Sequence, residues 1–279
     1  MRLAVAVSIV ILTLNEAADL PGCLESIGWC DDIHLVDSGS CDGTLELAVA
    51  AGVRCYEHPF SSFGKQRNWA LDHCQFAHEW ILFLDADERA TPAFARAIEG
   101  ATAAAGASIA GYYCCWKLML DGHWLRRTDG FPRWQFRLLR WGRVRFCDFG
   151  HGQKEDRVQG QLAYLSEPYL HYAFSKGWGQ WLSRHNRYSD LEAAERLRAN
   201  VSWQELLARD PSVRNKALKP LLSRLPGWPL WRFLIMYVFK LGFLEGRAAL
   251  TYCIHLAYYE FLIQVKMDEL RRGRCLDRT

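Results

Sequence analysis

The segment 5–14 (VAVSIVILTL) constrains this chain most. It is rich in Val and Ile and apolar on both faces, the composition of a central parallel strand rather than of a half-buried one. Arg2 ahead of it imitates the start of a signal peptide, but no small-x-small cleavage site follows and the run stops at Asn15-Glu16. Such a strand needs neighbouring strands on both sides and helices over both faces. The next stretch supplies them: 20–30 reads as a helix, Ile33–Asp37 as a second strand, 44–51 as a helix, 53–57 as a third strand and 64–78 as a helix. A short, fully apolar strand at 80–84 follows, and then a helix opening at Pro92, a favoured first helical residue. The alternation predicts an α/β fold built on a largely parallel sheet.

Residues 111–120, 133–141 and Gln161–His171 read as further strands, rich in aromatics and Arg, that extend the sheet in mixed or antiparallel fashion. From 175 onward the pattern is helical: 175–198, 202–209, 213–225, 230–244 and 247–272. The expected organisation is a catalytic domain over 1–172 and a helical, basic region over 173–279.

The sharpest chemical signal is Ile81-Leu82-Phe83-Leu84-Asp85-Ala86-Asp87-Glu88. An apolar strand delivers two carboxylates, one residue apart, at its C-terminal end, the edge where open α/β sheets bind ligands. Paired carboxylates repel each other unless a cation joins them. Their hard oxygens select Mg²⁺ or Mn²⁺, with one Asp bound directly and the other through water or a ribose hydroxyl. Asp37 closes the second strand and opens Asp37-Ser38-Gly39-Ser40-Cys41-Asp42-Gly43-Thr44; it is a candidate contact to a base or ribose, whereas Asp42 reads as a cap for the helix near Thr44. Asn15 and Glu16 follow the first strand at the same edge. Lys65 and Arg67, in Phe63-Gly64-Lys65-Gln66-Arg67-Asn68-Trp69, either reach a diphosphate or form a solvated helix face.

Four pieces in this order, VSIVILTLNE (7–16), LVDSGSCDGT (35–44), GKQRNWAL (64–71) and FLDADE (83–88), resemble family 2 glycosyltransferases, in particular the bacterial branch that builds lipopolysaccharide cores and exopolysaccharides. The resemblance implies the GT-A fold, a Rossmann-like mixed sheet flanked by helices, here with a helical C-terminal extension. It implies a nucleotide-sugar donor held by Thr13, Asn15, Glu16, Asp37, Lys65, Arg67 and Asp85, with Asp37 at the base and Arg67 near base or phosphates. It implies Asp87 as the ligand of Mn²⁺ or Mg²⁺, supported by Asp85. Leu12 and Leu14 stand where the family often has Pro and Tyr, so no aromatic is present at 14 to stack on the base. The QxxRW motif of processive members is absent, which points to one sugar per visit.

An inverting transferase needs a base for the acceptor hydroxyl. Relatives of this branch carry a His-Glu pair near Phe146–Glu155, and here His151 and Glu155 are three residues further apart than neighbours. Glu155 is the first candidate base, Asp148 the second, and His151 a phosphate or acceptor contact. Trp134 and Arg137 flank the region as further acceptor candidates, although any single Trp reads equally as core.

Net charge is only +3, but residues 1–170 carry 16 basic and 21 acidic side chains, and 171–279 carry 18 and 10. Residues 211–244 hold Arg214, Lys216, Lys219, Arg224, Arg232 and Lys240 with no acid. No run reaches about 18 uncharged residues, the length of a spanning helix. The aromatic, basic helices instead suit an interfacial anchor, and otherwise pack on the catalytic domain or form a homodimer. Together with ten cysteines that lack zinc-site spacing, this places the protein in the cytoplasm, peripheral on the inner membrane and facing a lipid-linked or glycan acceptor. No nucleic-acid recognition module accompanies the basic tail. Two competing readings remain. One is a haloacid dehalogenase-type phosphatase, whose DxD normally opens the fold and carries a Thr two residues after the second Asp, whereas here Arg89 holds that place and 84 residues precede Asp85; the other is an inactive membrane scaffold.

Overall fold

A computed structural model describes residues 5–149, 152–199, 202–208, 211–223 and 225–273. The chain divides into two compact units, 1–176 and 177–279.

The first unit runs β1 (Val7–Thr13), α1 (Leu20–Ser26), β2 (Ile33–Asp37), α2 (Thr44–Ala50), β3 (Arg54–Glu57), α3 (Phe63–His73), β4 (Trp80–Asp85), β5 (Glu88–Arg89), α4 (Pro92–Ala104), β6 (Ile109–Leu120), β7 (His123–Trp124), α5 (Arg126–Asp129), β8 (Trp134–Arg140), β9 (Arg145–Phe149), β10 (Gly152–Asp156) and β11 (Gln161–His171). Among the described residues the main sheet has the order β3-β2-β1-β4-β8-β6-β11-β5, with β7 paired to β6. β1 is central and parallel to both β2 and β4. β8 enters antiparallel between β4 and β6, so β4, β6 and β11 all finish at one edge.

Alternate residues explain the two cores. Ile9, Ile11, Leu82 and Leu84 face one side, where Leu20 and Ile27 near α1, Ala48 of α2, and Phe94 and Ile98 of α4 cover them. Val10, Ile81 and Phe83 face the other, beneath Ala70 and Leu71 of α3 and Phe146 of β9. Both faces are dry, as the unbroken apolar runs require. Ser62 and Thr91 cap α3 and α4, accepting from the Lys65 and Phe94 N–H groups.

The second unit comprises α6 (Gly177–Arg198), α7 (Trp203–Leu206), α8 (Pro211–Leu222), α9 (Trp228–Leu234) and α10 (Gly246–Arg271). The helix expected over 230–244 is not continuous. α9 passes into a π turn at Ile235–Phe239, Leu241 takes a left-handed φ of 58°, and a 3₁₀ turn, Gly242–Glu245, leads into α10. Apolar periodicity does not register such a reversal, because Gly242 and Gly246 are its only breakers. Within this unit Arg196 of α6 bonds Glu260 of α10 at 2.6 Å, and Trp228 donates to the same carboxylate at 3.0 Å.

Candidate active site

The edge where β1, β2 and β4 end is stitched together by short polar side chains. Thr13 donates to Asp37 Oδ1 at 2.7 Å. Asp37 also accepts from the Gly39 and Ser40 N–H groups and the Ser40 hydroxyl. Burial opposes its charge, but the bonds from Ser40, Thr13 and Gly39 outweigh it and hold its carboxyl below the usual range. Asp37 is therefore fully engaged in building the loop after β2. Asn15, at φ 56°, donates its N–H to Ser40 and accepts from the Cys41 N–H, joining the loops after β1 and β2. Asp42 accepts from the Thr44 N–H and hydroxyl at the start of α2. Glu16 pairs with Lys176 at 2.6 Å, and Lys176 also donates to the Asn15 carbonyl. Burial pushes Glu16 up to about 7 against the pull of Lys176.

The carboxylate turn is organised by arginine. Arg137 of β8, 1% exposed, grips Asp85 through two nitrogens at 3.1 and 2.6 Å and Glu88 at 2.5 Å. Its planar fork matches this bidentate demand, which a lysine could not meet. Glu88, fully buried, also accepts from the Asp85 N–H. Burial pushes Glu88 up to about 7, with Arg137 pulling the other way. Asp85 keeps 41% of its side chain exposed. Burial works against its charge, but Arg137, then Arg67 and His171, hold it well below the usual carboxylate range. Arg67 lies 3.7 Å from Asp85 with its guanidinium over the Phe83 ring, and its Nε and Nη1 have no hydrogen-bond partner among the described residues. Burial, then the nearby Arg137 charge, pull it down to about 10. Lys65, two residues earlier, is exposed.

Beyond Asp85 the turn crosses the sheet edge, so that β5 pairs with the end of β11, Glu88 opposite His171. This brings Asp87 Oδ2 to 3.5 Å from His171 Nε2. Burial disfavours the imidazolium, but Asp87, then Glu88 and Asp85, together push His171 up to about 9. Among the described residues no group of three or more His, Cys, Asp or Glu side chains is gathered for a metal ion.

The region after β8 forms an antiparallel hairpin of β9 and β10, two strands that were not among those expected. Its two base candidates lie in different surroundings. Asp148 accepts from the Gly64 N–H at the start of α3, and a Cβ on Gly64 would stand 2.8 Å from that carboxylate. Glu155 accepts from the Tyr113 hydroxyl at 2.5 Å and lines a cleft of about 120 Å³ with Trp134, Phe136, Phe146, Gln153 and Lys154. Trp134, 38% exposed, shares that cleft, whereas Arg137 lies buried beneath the carboxylate turn. His151 lies outside the described residues.

Asp85, Arg67 and Arg137 thus meet in one cluster, Thr13, Asn15 and Asp37 build the adjoining loops, and Glu155 and Trp134 share the cleft. Three participants escaped sequence reasoning. Glu88 stood in the motif without a role, His171 ended a predicted strand whose direction was not legible, and Tyr113 carried no signal at all.

The sequence pattern of Glycosyl transferase family 2 matches residues 8–148. The lipopolysaccharide core biosynthesis glycosyltransferase LpsC of Rhizobium meliloti is 30% identical over 193 residues, 67% of this chain and 70% of that protein. An uncharacterized glycosyltransferase of Rickettsia felis is 34% identical over 83 residues, 29% of each chain. Glucosyl-3-phosphoglycerate synthase from Mycobacterium tuberculosis, solved with Mn²⁺, uridine-diphosphate and glucosyl-3-phosphoglycerate, aligns with a TM-score of 0.45 at 18% identity, covering 67% of this chain and 77% of that one. With the pattern spanning half of its length and LpsC matched over two thirds, the chain belongs to glycosyl transferase family 2.

Proposed function

We propose that this glycosyltransferase moves one sugar, with inversion, from a nucleoside-diphosphate sugar to a glycan acceptor of the lipopolysaccharide-core or exopolysaccharide kind. The similarity to LpsC over two thirds of the chain carries the acceptor class. Neither the phosphatase nor the inactive scaffold is favoured by the comparisons.

The residues at the sheet edge fit a divalent cation. Asp87 Oδ2 and His171 Nε2 lie 3.5 Å apart, close enough to share one octahedral ion, which would take the place of the proton that the carboxylates stabilise on His171. A site with so few protein ligands suits an ion whose other positions are filled by substrate phosphate and water. When bound, Mn²⁺ or Mg²⁺ would offset the charge of the departing nucleoside diphosphate. Asp85, clamped and ionised by Arg137, is left to hold ribose or water at the ion's side. Glu155 takes the acceptor hydroxyl proton, because its carboxylate lines a cleft while Asp148 links the hairpin to α3.

Among the described residues no helix is long and apolar enough to cross a membrane. The second unit exposes Leu230, Trp231, Phe239, Phe243 and Leu244 beside Arg232 and Lys240. This surface suits shallow insertion into the anionic inner leaflet of the cytoplasmic membrane. Sedimentation with anionic vesicles that weakens in high salt is expected; no binding would leave these helices to pack against protein.

The transfer reading is tested by incubating the protein with Mn²⁺, labelled nucleoside-diphosphate sugars and oligosaccharide released from lipopolysaccharide cores. Incorporation from one donor is expected. Release of inorganic phosphate without incorporation would revive the phosphatase.

A further inference from the structure

The cleft beside Glu155 continues into exposed aromatic surface. Tyr113 and Tyr164 are register partners on β6 and β11, and their rings stack with centroids 5.2 Å apart. Trp134, at the start of β8, meets Tyr164 at 4.9 Å and 77°. Tyr164 is 61% exposed, so the corner it makes with Trp134 is open to solvent. Single exposed aromatics need no explanation, but two large rings held at near right angles beside a carboxylate form a shaped surface.

Its chemistry matches a pyranose. Such a ring has an apolar C–H face and a polar rim of hydroxyls. The aromatic corner offers cover for the face. Gln153 and Lys154 line the cleft without a side-chain partner among the described residues, and with Glu155 they offer donors and an acceptor for the rim. We infer that Trp134 and Tyr164 are the platform on which the acceptor's pyranose ring stacks, with Tyr113 holding Glu155 toward the ring's reacting hydroxyl. The inference rests on the transferase reading and adds the residues that select the acceptor. Tyr113 is a positioning residue here, acting through Glu155.

The test uses the full chain with a nucleoside diphosphate and Mn²⁺, and methyl glucopyranoside, galactopyranoside and mannopyranoside as probes. Saturation-transfer NMR should show contact to the ring C–H protons of at least one probe. In the Trp134→Ala/Tyr164→Ala variant that contact should weaken at least tenfold, while the stabilisation by nucleotide and Mn²⁺ stays at the parent's value. Both side chains lie at the surface, so their truncation spares the core. No probe contact in the parent, or contact unchanged in the variant, overturns the inference and leaves the aromatic corner to a protein partner. A parent that binds no nucleotide overturns the transferase reading, and this inference with it.

Discussion

The two sides of the candidate site are built from different materials. The proposed donor edge is made of charges embedded in the core: Arg137 and Glu88 are buried, and Arg67 lies on the Phe83 ring. The proposed acceptor cleft lies nearer the surface, where a tyrosine hydroxyl holds the Glu155 carboxylate and aromatic rings form the walls. Removing a group from the first region removes part of the fold. Removing one from the second is expected to remove the proposed function and little else. Fixed buried charges cost stability but are preorganised, as the proposed role of presenting one geometry to a diphosphate requires. In the proposed reaction the cleft has only to orient a hydroxyl, and its residues are expected to be easier to change.

The largest separation of the two should come from Glu155→Gln. Loss of a general base lowers transfer by about 10²–10⁴-fold, with the melting temperature unchanged because Tyr113 can still donate to the amide oxygen. A steady-state transfer assay beside a melting curve checks this; full transfer activity would shift the base to Asp148. Next is Arg137→Met, which strands Asp85 and Glu88 and should cost about 3–5 kcal/mol of stability by denaturant unfolding. Adding Glu88→Gln should return part of that loss. Stability equal to the parent in the single variant would show that the arginine clamp is dispensable, and the contrast between the regions would fail.

The smallest effect lies at the far edge of the sheet, away from both regions. Asp32 accepts from Ser8, from the Ala77 N–H and from Arg54, and lies 3.0 Å from His34. Burial opposes its charge, but these bonds outweigh it and hold Asp32 below its ordinary value. Its contribution is then complete above about pH 3.9, the unfolded value, and is lost as pH falls through the lower folded value. Burial pulls His34 down despite Asp32. The unfolded chain therefore takes up that proton first, and stability begins to fall below about pH 6.5. Unfolding curves across this range should show two successive losses, the second absent in Asp32→Asn. A single loss present in both proteins would contradict the assignment.

Much of the donor half was legible because its physics is local. Apolar runs bounded by turn residues identified β1, β2 and β4, and a buried strand ending in Asp85-Ala86-Asp87 located the edge. What stayed hidden depends on topology. His171 lies 84 residues after Asp87 and meets it only because β11 runs parallel to β6 and β5 pairs with its end. Arg137 looked like an acceptor contact from its aromatic neighbours, yet β8 enters antiparallel beside β4 and places it under Asp85. The β9–β10 hairpin carries few β-branched residues and gave no strand signal. The reversal after α9 relies on π and 3₁₀ turns that leave no periodic trace.

The central claim is that Asp87 and His171 hold a cation on which donor binding depends. It is tested most directly by the thermal stability of the parent and of Asp87→Ala with a panel of nucleoside diphosphates, with and without Mn²⁺. A ligand at about 100 times its Kd adds about 2.7 kcal/mol of stability. A shift of that order is expected in the parent for one nucleotide, only when the metal is present, and none in Asp87→Ala. A shift that needs no metal, or that survives in Asp87→Ala, would contradict it.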